Sequence, residues 1–341
     1  MQKSENIEKF KVNLWYLTFF VLVMAANGIS VAWTTGGHNQ VANVFAAKLN
    51  WSDTETRSYN SIINLSAQIG KSLGAIYGGV LIGPGRKKAF IRYNILGVAS
   101  CALMQVVSVS SLVVGKFLHG FTITVVHIAA NKMINETVPV YKLGVFGSAI
   151  QIATNIGYCF VLGSGLILPT DDYNPALGTA GKEFEKNRFA KEADIADQNW
   201  RIVLAFPALI NALILTFYCL CIKEDSIMFN LSQGNEEGSL ILINKIYDIS
   251  EGSGQDSQVI LSHLKKQVKK KDIKNGTNSE QSYFQALFGP QNRRGTLILS
   301  VYSLSFQWIG CNIINIFSNR IITDVNRYVP EDKKVLANSA T

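Results

Sequence analysis

The sequence predicts an all-α, multi-pass membrane protein, and three observations carry that prediction. The chain is 48% hydrophobic and only 16% charged, whereas soluble domains average roughly a quarter charged residues. Its apolar residues are gathered into blocks of membrane-spanning length, about twenty residues each. Seven such blocks occur in 341 residues; one or two could form a buried core, but seven cannot. Inside a bilayer every backbone N–H and C=O must be satisfied within the segment, so each block is expected to be a helix.

The first block, LWYLTFFVLVMAANGISVAW (14–33), carries no charge. The second, SIINLSAQIGKSLGAIYGGVLI (61–82), contains Gly70, Gly74, Gly78 and Gly79, small residues that allow helices to approach closely. AFIRYNILGVASCALMQVV (89–107) is the third and SLVVGKFLHGFTITVVHIAANKMI (111–134) the fourth. Lys116 lies in the fourth block a few residues from its outer end, close enough for its ammonium to snorkel to the interface. The fifth and sixth are VFGSAIQIATNIGYCFVLGSGLIL (145–168) and RIVLAFPALINALILTFYCLCI (201–222). A polar stretch follows, in which GSLILINKIYDIS (238–250) and SQVILSHLKKQVKKK (257–271) have helical apolar spacing. TLILSVYSLSFQWIGCNIINIF (296–317) is the seventh block. Polar side chains on these helices should face a bundle interior or a water-filled cavity.

This order divides the chain into an N-terminal tail (1–11), a six-helix bundle (12–222), a linker with short helices (223–293), a seventh transmembrane helix (294–322) and a tail (323–341). Six spans, a linker and one more span read as two bundles, the second cut short. Orientation follows from Lys and Arg in short loops. Arg86, Lys87 and Lys88, with Arg92 close behind, sit between the second and third spans. Lys3, Lys9 and Lys11 precede the first span, and Lys132 and Lys142 follow the fourth. The loop after the third span has no charge, and 169–199 is acidic on balance. A cytosolic N-terminus and linker, with an exoplasmic C-terminal tail, satisfy all of this. The net charge of +8 therefore reads as topology, with the lipid bilayer as partner and no role for nucleic acid. The run KKQVKKKDIK (265–274) is expected to be a solvated face of the linker.

All five cysteines fall inside apolar blocks, and neither a disulfide framework nor metal-ligand spacing is present. No cofactor motif, nucleophile constellation or phosphate-cradling glycine loop points to an enzyme. Among the glycosylation sequons, Asn50-Trp51-Ser52 falls in an exoplasmic loop, which makes Asn50 the candidate acceptor.

The local motifs resemble the sugar porters of the major facilitator superfamily over nearly the whole chain, about the first seven of a member's twelve helices. GKFLHG (115–120) is similar to the family's Gly-Arg-x-Leu-x-Gly, with Lys116 in the arginine position. Glu136 falls at the glutamate of Pro-x-Tyr-x-x-Glu-x-x-Pro, and Pro139 at its final proline. Gly144 matches the glycine of the following Arg-Gly, and Gln151 and Gly157 match a glutamine and a glycine of the fifth helix without a gap. NWRIVLAFPAL (199–209) resembles the entry to the sixth helix. KEDSIMFNL (223–231) sits where the family has Pro-Glu-Ser-Pro-Arg-Phe-Leu. FQWIGCN (306–312) looks like Gln-Gln-x-x-Gly-x-Asn, keeping Gln307, Gly310 and Asn312.

The resemblance implies a major-facilitator-type six-helix bundle, a cytosolic helical linker, and a seventh transmembrane helix of an incomplete second bundle. It implies transport of a small-molecule sugar or polyol, a hexose or related compound, by alternating access. Gln151, Gln307 and Asn312 are the expected substrate-binding residues, because an amide matches a hydroxyl that both donates and accepts. Lys116, Glu136, Arg86 and Lys87 are the expected gating and charge network.

The departures from the family pattern are equally informative. Asn131 and Met133 replace a proline and a tyrosine before Glu136, and Leu143 stands where the family has arginine. Phe306 replaces the first glutamine of the seventh helix, and Ile316 and Phe317 its paired tyrosines. Thr34 occupies the position of a first-helix acidic or amide residue. Threonine does not titrate, so the coupling carboxylate is lacking and facilitated diffusion is expected. A non-transporting sugar sensor and a truncated, inactive fragment are the alternatives. Gln307, Asn312 and Asn315 need partners that a second bundle would provide. The chain is therefore expected to belong to a longer protein, or to need a missing C-terminal bundle from a partner chain. The plasma membrane is the expected location, with an intracellular vesicle membrane as the alternative.

Overall fold

The computed structural model describes residues 11–168, 198–247, 257–266, 268, 289, 290 and 292–308. These are helices and turns, with one isolated β-bridge between Val12 and Tyr247. The first span is two helices in line, α1 (Leu14–Ala25) and α2 (Asn27–Lys48). Ala26 between them keeps helical dihedrals and donates its N–H to Leu22 O. The span therefore runs well past the apolar block expected to end at residue 33. The extension is polar, and neighbouring helices satisfy it: His38 Nε2 meets Asn60 Oδ1 at 3.0 Å, and Asn64 Nδ2 donates to Asn39 Oδ1 at 2.9 Å.

α3 (Asp53–Leu81) starts earlier than its apolar block. Ser52 and Glu55 form a reciprocal cap, with Ser52 N donating to Glu55 Oε2 at 2.8 Å and Glu55 N to Ser52 Oγ at 3.4 Å. α4 (Arg86–Leu103), α5 (Val109–Thr137), the short α6 (Leu143–Phe146) and α7 (Ala149–Ser164) follow. α8 (Trp200–Phe217) ends in one π turn over Tyr218–Ile222. Beyond it come α9 (Ile227–Ser232), α10 (Glu236–Ile246), a helix α11 over 257–266, and α12 (Arg293–Trp308).

Among the described residues, four helical stretches are long and apolar enough to cross a membrane: Leu14–Ala42, Val109–Thr137, Val140–Ile167 and Trp200–Ile222. α3 and α4 are more polar, but both pack along α5, which places them in the same bundle. α12 exposes apolar side chains along its length, including Ile298, Leu299, Val301, Tyr302 and Trp308.

The bundle has two apolar cores. One gathers Leu17, Phe20, Met24, Phe90, Val126 and Ile134 near the start of α1. The other gathers Trp33, Phe45, Ile63, Met104, Leu112 and Trp200 toward the opposite end. Between them lie buried polar residues on α2, α4, α5 and α8, among them Ser30, Thr34, Asn94, His119, Thr122 and Asn211. A third, smaller cluster joins Ile227, Leu242, Ile243, Ile246, Ile260 and Leu261 of the linker helices. It docks on the start of the chain, where Asn13 N donates to Ile246 O at 2.7 Å.

Glycines set the closest helix approach. Gly70, Gly74 and Gly78 recur at helical spacing on one face of α3, against α5. A Cβ on Gly70 would lie 2.1 Å from Phe117 O, and one on Gly74 would lie 2.6 Å from Phe121 O. From the other side, a Cβ on Gly120 would lie 2.3 Å from Ala67 O. Gly79 is exposed and takes no part in this stripe.

Backbone cannot yield as a side chain can, so Gly70→Leu should force α3 and α5 apart. Overpacking of this kind costs about 1–3 kcal/mol, read as a lower melting midpoint in detergent and reduced yield of monodisperse protein. Gly163→Ala, where a Cβ would meet nothing within 4 Å, should leave both unchanged.

Candidate functional site

The polar layer is built where α2, α3, α5 and α8 converge. Lys116 on α5 is 2% exposed, so it does not snorkel outward. Its Nζ donates to the backbone carbonyl of Thr34 at 3.1 Å. Thr34 Oγ1 donates to Ser30 O at 2.8 Å and lies 3.0 Å from His119 Nδ1. Ser30 Oγ donates to Asn211 Oδ1 at 2.8 Å, which ties α2 to α8. Trp33 Nε1 donates to Val203 O at 2.7 Å from the neighbouring turn. The structure thus brings Thr34 and Lys116 into contact.

Arg86, Lys87 and Glu136 meet at one end of the bundle. Arg86 Nη2 and Glu136 Oε1 form an ion pair at 2.9 Å, and the Arg86 guanidinium lies 4.5 Å from the ring centroid of Phe229. Ser226 Oγ donates to the second Glu136 oxygen. Lys87 donates twice, through its backbone N to Asp225 Oδ2 at 3.0 Å and through Nζ to the carbonyl of Lys223. Lys223 takes a positive φ of 60° as the chain leaves the π turn, which turns that carbonyl toward α4. Burial raises the Asp225 carboxyl above the ordinary carboxylate range. The backbone donors Lys87 N and Ser226 N, and the Arg86 charge, pull the other way.

Gln151 sits on an exposed face of α7, its Nε2 3.3 Å from Asn155 Oδ1, and joins neither cluster. Gln307 falls on the last turn of α12, and Asn312 lies outside the described residues. Asn50 is exposed in the turn between α2 and α3, at φ 57°, two residues before the Ser52 cap. Among the described residues no group of three or more His, Cys, Asp or Glu side chains could hold a metal ion. A cavity of about 340 Å³ between α2, α7 and α8 is lined mainly by Trp33, Cys159, Phe160, Ile202 and Phe206. It is apolar and offers no amide to a sugar.

Sequence reasoning passed over Lys71, His38 and His119. Lys71 was findable as a lone cation in an otherwise uncharged block. The 223–231 motif marked Asp225 and Ser226, but not their partners Lys87 and Glu136, which are distant in sequence.

Glu136→Gln should loosen the linker from the bundle, since it leaves the half-buried Arg86 without its carboxylate. A loss on the order of 2 kcal/mol is expected for a hydrogen bond to a charged group. It would be read as a lower melting midpoint and faster alkylation of a cysteine introduced at the buried Ile227. Exchanging the pair, Arg86→Glu with Glu136→Arg, should recover part of the protection.

The chain is similar to known proteins. Two proteins named Hexose transporter 1 match at 23% identity: that of Plasmodium yoelii yoelii over 291 residues and that of Plasmodium falciparum over 292. In each case the match covers 83% of this chain and 54% of the relative, so the chain spans about half the length of these relatives. The xylose transporter XylE from E. coli, in a partially occluded inward-open conformation, superposes with a TM-score of 0.61 at 17% identity, covering 91% of this chain and 67% of that one. The proton:xylose symporter XylE bound to 6-bromo-6-deoxy-D-glucose gives 0.63 at 19%, covering 91% and 63%. Identities this low speak for the fold alone, and that fold is the major-facilitator one. The profile of the sugar (and other) transporter family matches residues 20–328, and this integral membrane chain belongs to that family.

Proposed function

We propose that the protein is a membrane transporter of the sugar-porter type, moving a hexose or related polyol by alternating access and down its gradient. The observation that carries this reading is the Thr34–Lys116 contact within the polar layer. At the position where the family's proton-coupled members keep a titrating carboxylate, this chain has a hydroxyl already bonded to Ser30 O. A hydroxyl that cannot ionise supports gradient-driven movement over proton coupling. The relatives named hexose transporters, and the hexose derivative bound to XylE, support a sugar as the solute.

Gln151 from the first bundle, with Gln307 and Asn312 from the seventh helix, would supply amides to the sugar hydroxyls near the midplane. Arg86, Lys87 and Glu136 would hold the cytosolic end. A rocking cycle needs a second bundle facing the first, from further chain or a partner half. The N-terminal tail and the 223–293 linker would face the cytosol, the 323–341 tail and Asn50 the exoplasmic side, in the plasma membrane.

Gln151→Ala in the complete protein should weaken sugar binding without loss of expression. One hydrogen bond to an uncharged ligand is worth on the order of 0.5–1.5 kcal/mol, up to about tenfold in affinity. Radiolabelled uptake into vesicles with a hexose, pentose and inositol panel, with and without a pH gradient, measures it. Unchanged uptake in both Gln151→Ala and Asn312→Ala would reduce these residues to helix packing, and uptake that rises with a proton gradient would overturn facilitated diffusion.

The orientation has its own check. A cysteine introduced at Ser253 should resist an impermeant thiol reagent in intact cells and react after permeabilisation. Labelling from outside would invert the topology.

A further inference from the structure

Charge inside the bundle is unbalanced. Lys71 on α3 and Lys116 on α5 converge on successive residues of α2. Lys71 Nζ donates to Thr35 Oγ1 at 2.5 Å, and Lys116 Nζ donates to Thr34 O at 3.1 Å. Both partners are neutral, and an ammonium has three N–H donors. The carboxylates whose side chains are described lie elsewhere. Glu55 caps α3, Glu136, Glu224 and Asp225 gather at the linker end, and Glu236 and Glu237 open α10. A cation within a membrane bundle is costly without a counter-charge.

Beside the ammonium pair runs a polar seam. Asn60, Asn64, Gln68 and Lys71 share one face of α3 at helical spacing, and all four are half-buried. Asn60 meets His38 of α2, and Asn64 meets Asn39. His119, behind Thr34, is 1% exposed, and its Nε2 has no partner among the described residues. The same holds for Nδ1 of the fully buried His38. A surface with amides in a row, unpartnered imidazole nitrogens and two ammonium groups suits a ligand rich in hydroxyls that ends in an anion.

We propose that the α2–α3 seam with Lys71 and Lys116 is a carboxylate-binding site, and that the transported solute is an acidic sugar such as a hexonate or hexuronate. This rests on the sugar-transport reading and narrows its substrate. The carboxylate bridges the two ammonium groups, and the hydroxyls lie along Asn64 and Asn60. Charge-assisted hydrogen bonds are roughly twice as strong as neutral ones, so the acid group dominates the preference.

The test compares glucose, glucuronate, gluconate, acetate and chloride as stabilisers of the detergent-purified protein and as competitors of labelled glucuronate. Glucuronate should bind about tenfold or more tighter than glucose. Lys71→Met and Lys116→Met should bring glucuronate down to the affinity of glucose in the same variant, and Lys71→Arg should keep the preference. Methionine retains the length of the side chain and removes a buried charge, so these variants are expected to fold. Equal binding of glucose and glucuronate would overturn the acidic-substrate assignment and leave the transport reading standing. Acetate or chloride acting as strongly as glucuronate would mark a lone-anion site and overturn it too. Binding of no sugar, neutral or acidic, would overturn both readings together.

Discussion

The contact between the backbones of α3 and α5 is the constraint on which the rest depends. Lipid tails are as apolar as leucine, so membrane helices gain little from simple burial and associate through close packing. Here Gly70, Gly74 and Gly120 bring main chain against main chain, and that fixes the rotation of both helices. Two consequences follow. Midway along the pair, Lys71 and Lys116 both reach α2. At its end, the turn after α3 delivers Arg86 beside Glu136 at the close of α5. One residue of rotation in α3 is about 100°, which would lose the seam with α2.

The polar layer between the two apolar cores contributes little net stability. Interhelical hydrogen bonds of this type average about 0.6 kcal/mol in membranes, whereas a buried polar group left unpaired costs about 1–3 kcal/mol. Several atoms in or beside the layer have no partner among the described residues: both side-chain ends of Asn27, Asn94 Oδ1, Asn211 Nδ2 and His119 Nε2. A bundle selected for stability alone would replace such residues with apolar ones. Their presence in a packed interior fits a layer that meets something polar in use, which is the behaviour expected of intramembrane polar residues.

Much of this architecture was legible in the sequence. Apolar block length located the four described stretches long and apolar enough to cross a membrane, and the apolar spacing of 238–250 and 257–271 anticipated α10 and α11. The glycines of the second block pointed to close packing, and three of the four line α5. Boundaries were less legible, because hydropathy loses a helix where polar residues begin. The end of α2 and the start of α3 are polar for a reason outside any local window: His38 meets Asn60 and Asn39 meets Asn64. The same blindness hid the site. Lys116 near a span end looks like a snorkelling lysine until a helix from elsewhere in the chain presents the Thr34 carbonyl. Gln151 was chosen by family register, and its exposed place on α7 reflects a face that no described helix covers.

The two polar clusters use different chemistry, and the difference bears on what each can do. At the linker end a carboxylate and a guanidinium are paired with little exposure, with a hydroxyl and an aromatic ring beside them, though Arg86 Nε has no hydrogen-bond partner among the described residues. Removing either charge would strand the other in a low-dielectric site, so this contact resists exchange. Midway along the bundle two ammonium groups rest on a backbone carbonyl and a hydroxyl, partners weaker than a carboxylate. Strong charge pairing suits a junction that holds the linker helices to the bundle. Weaker pairing would suit the solute-facing wall proposed above. Both clusters touch α5, so the helix that carries Lys116 to the wall also anchors the junction through Glu136.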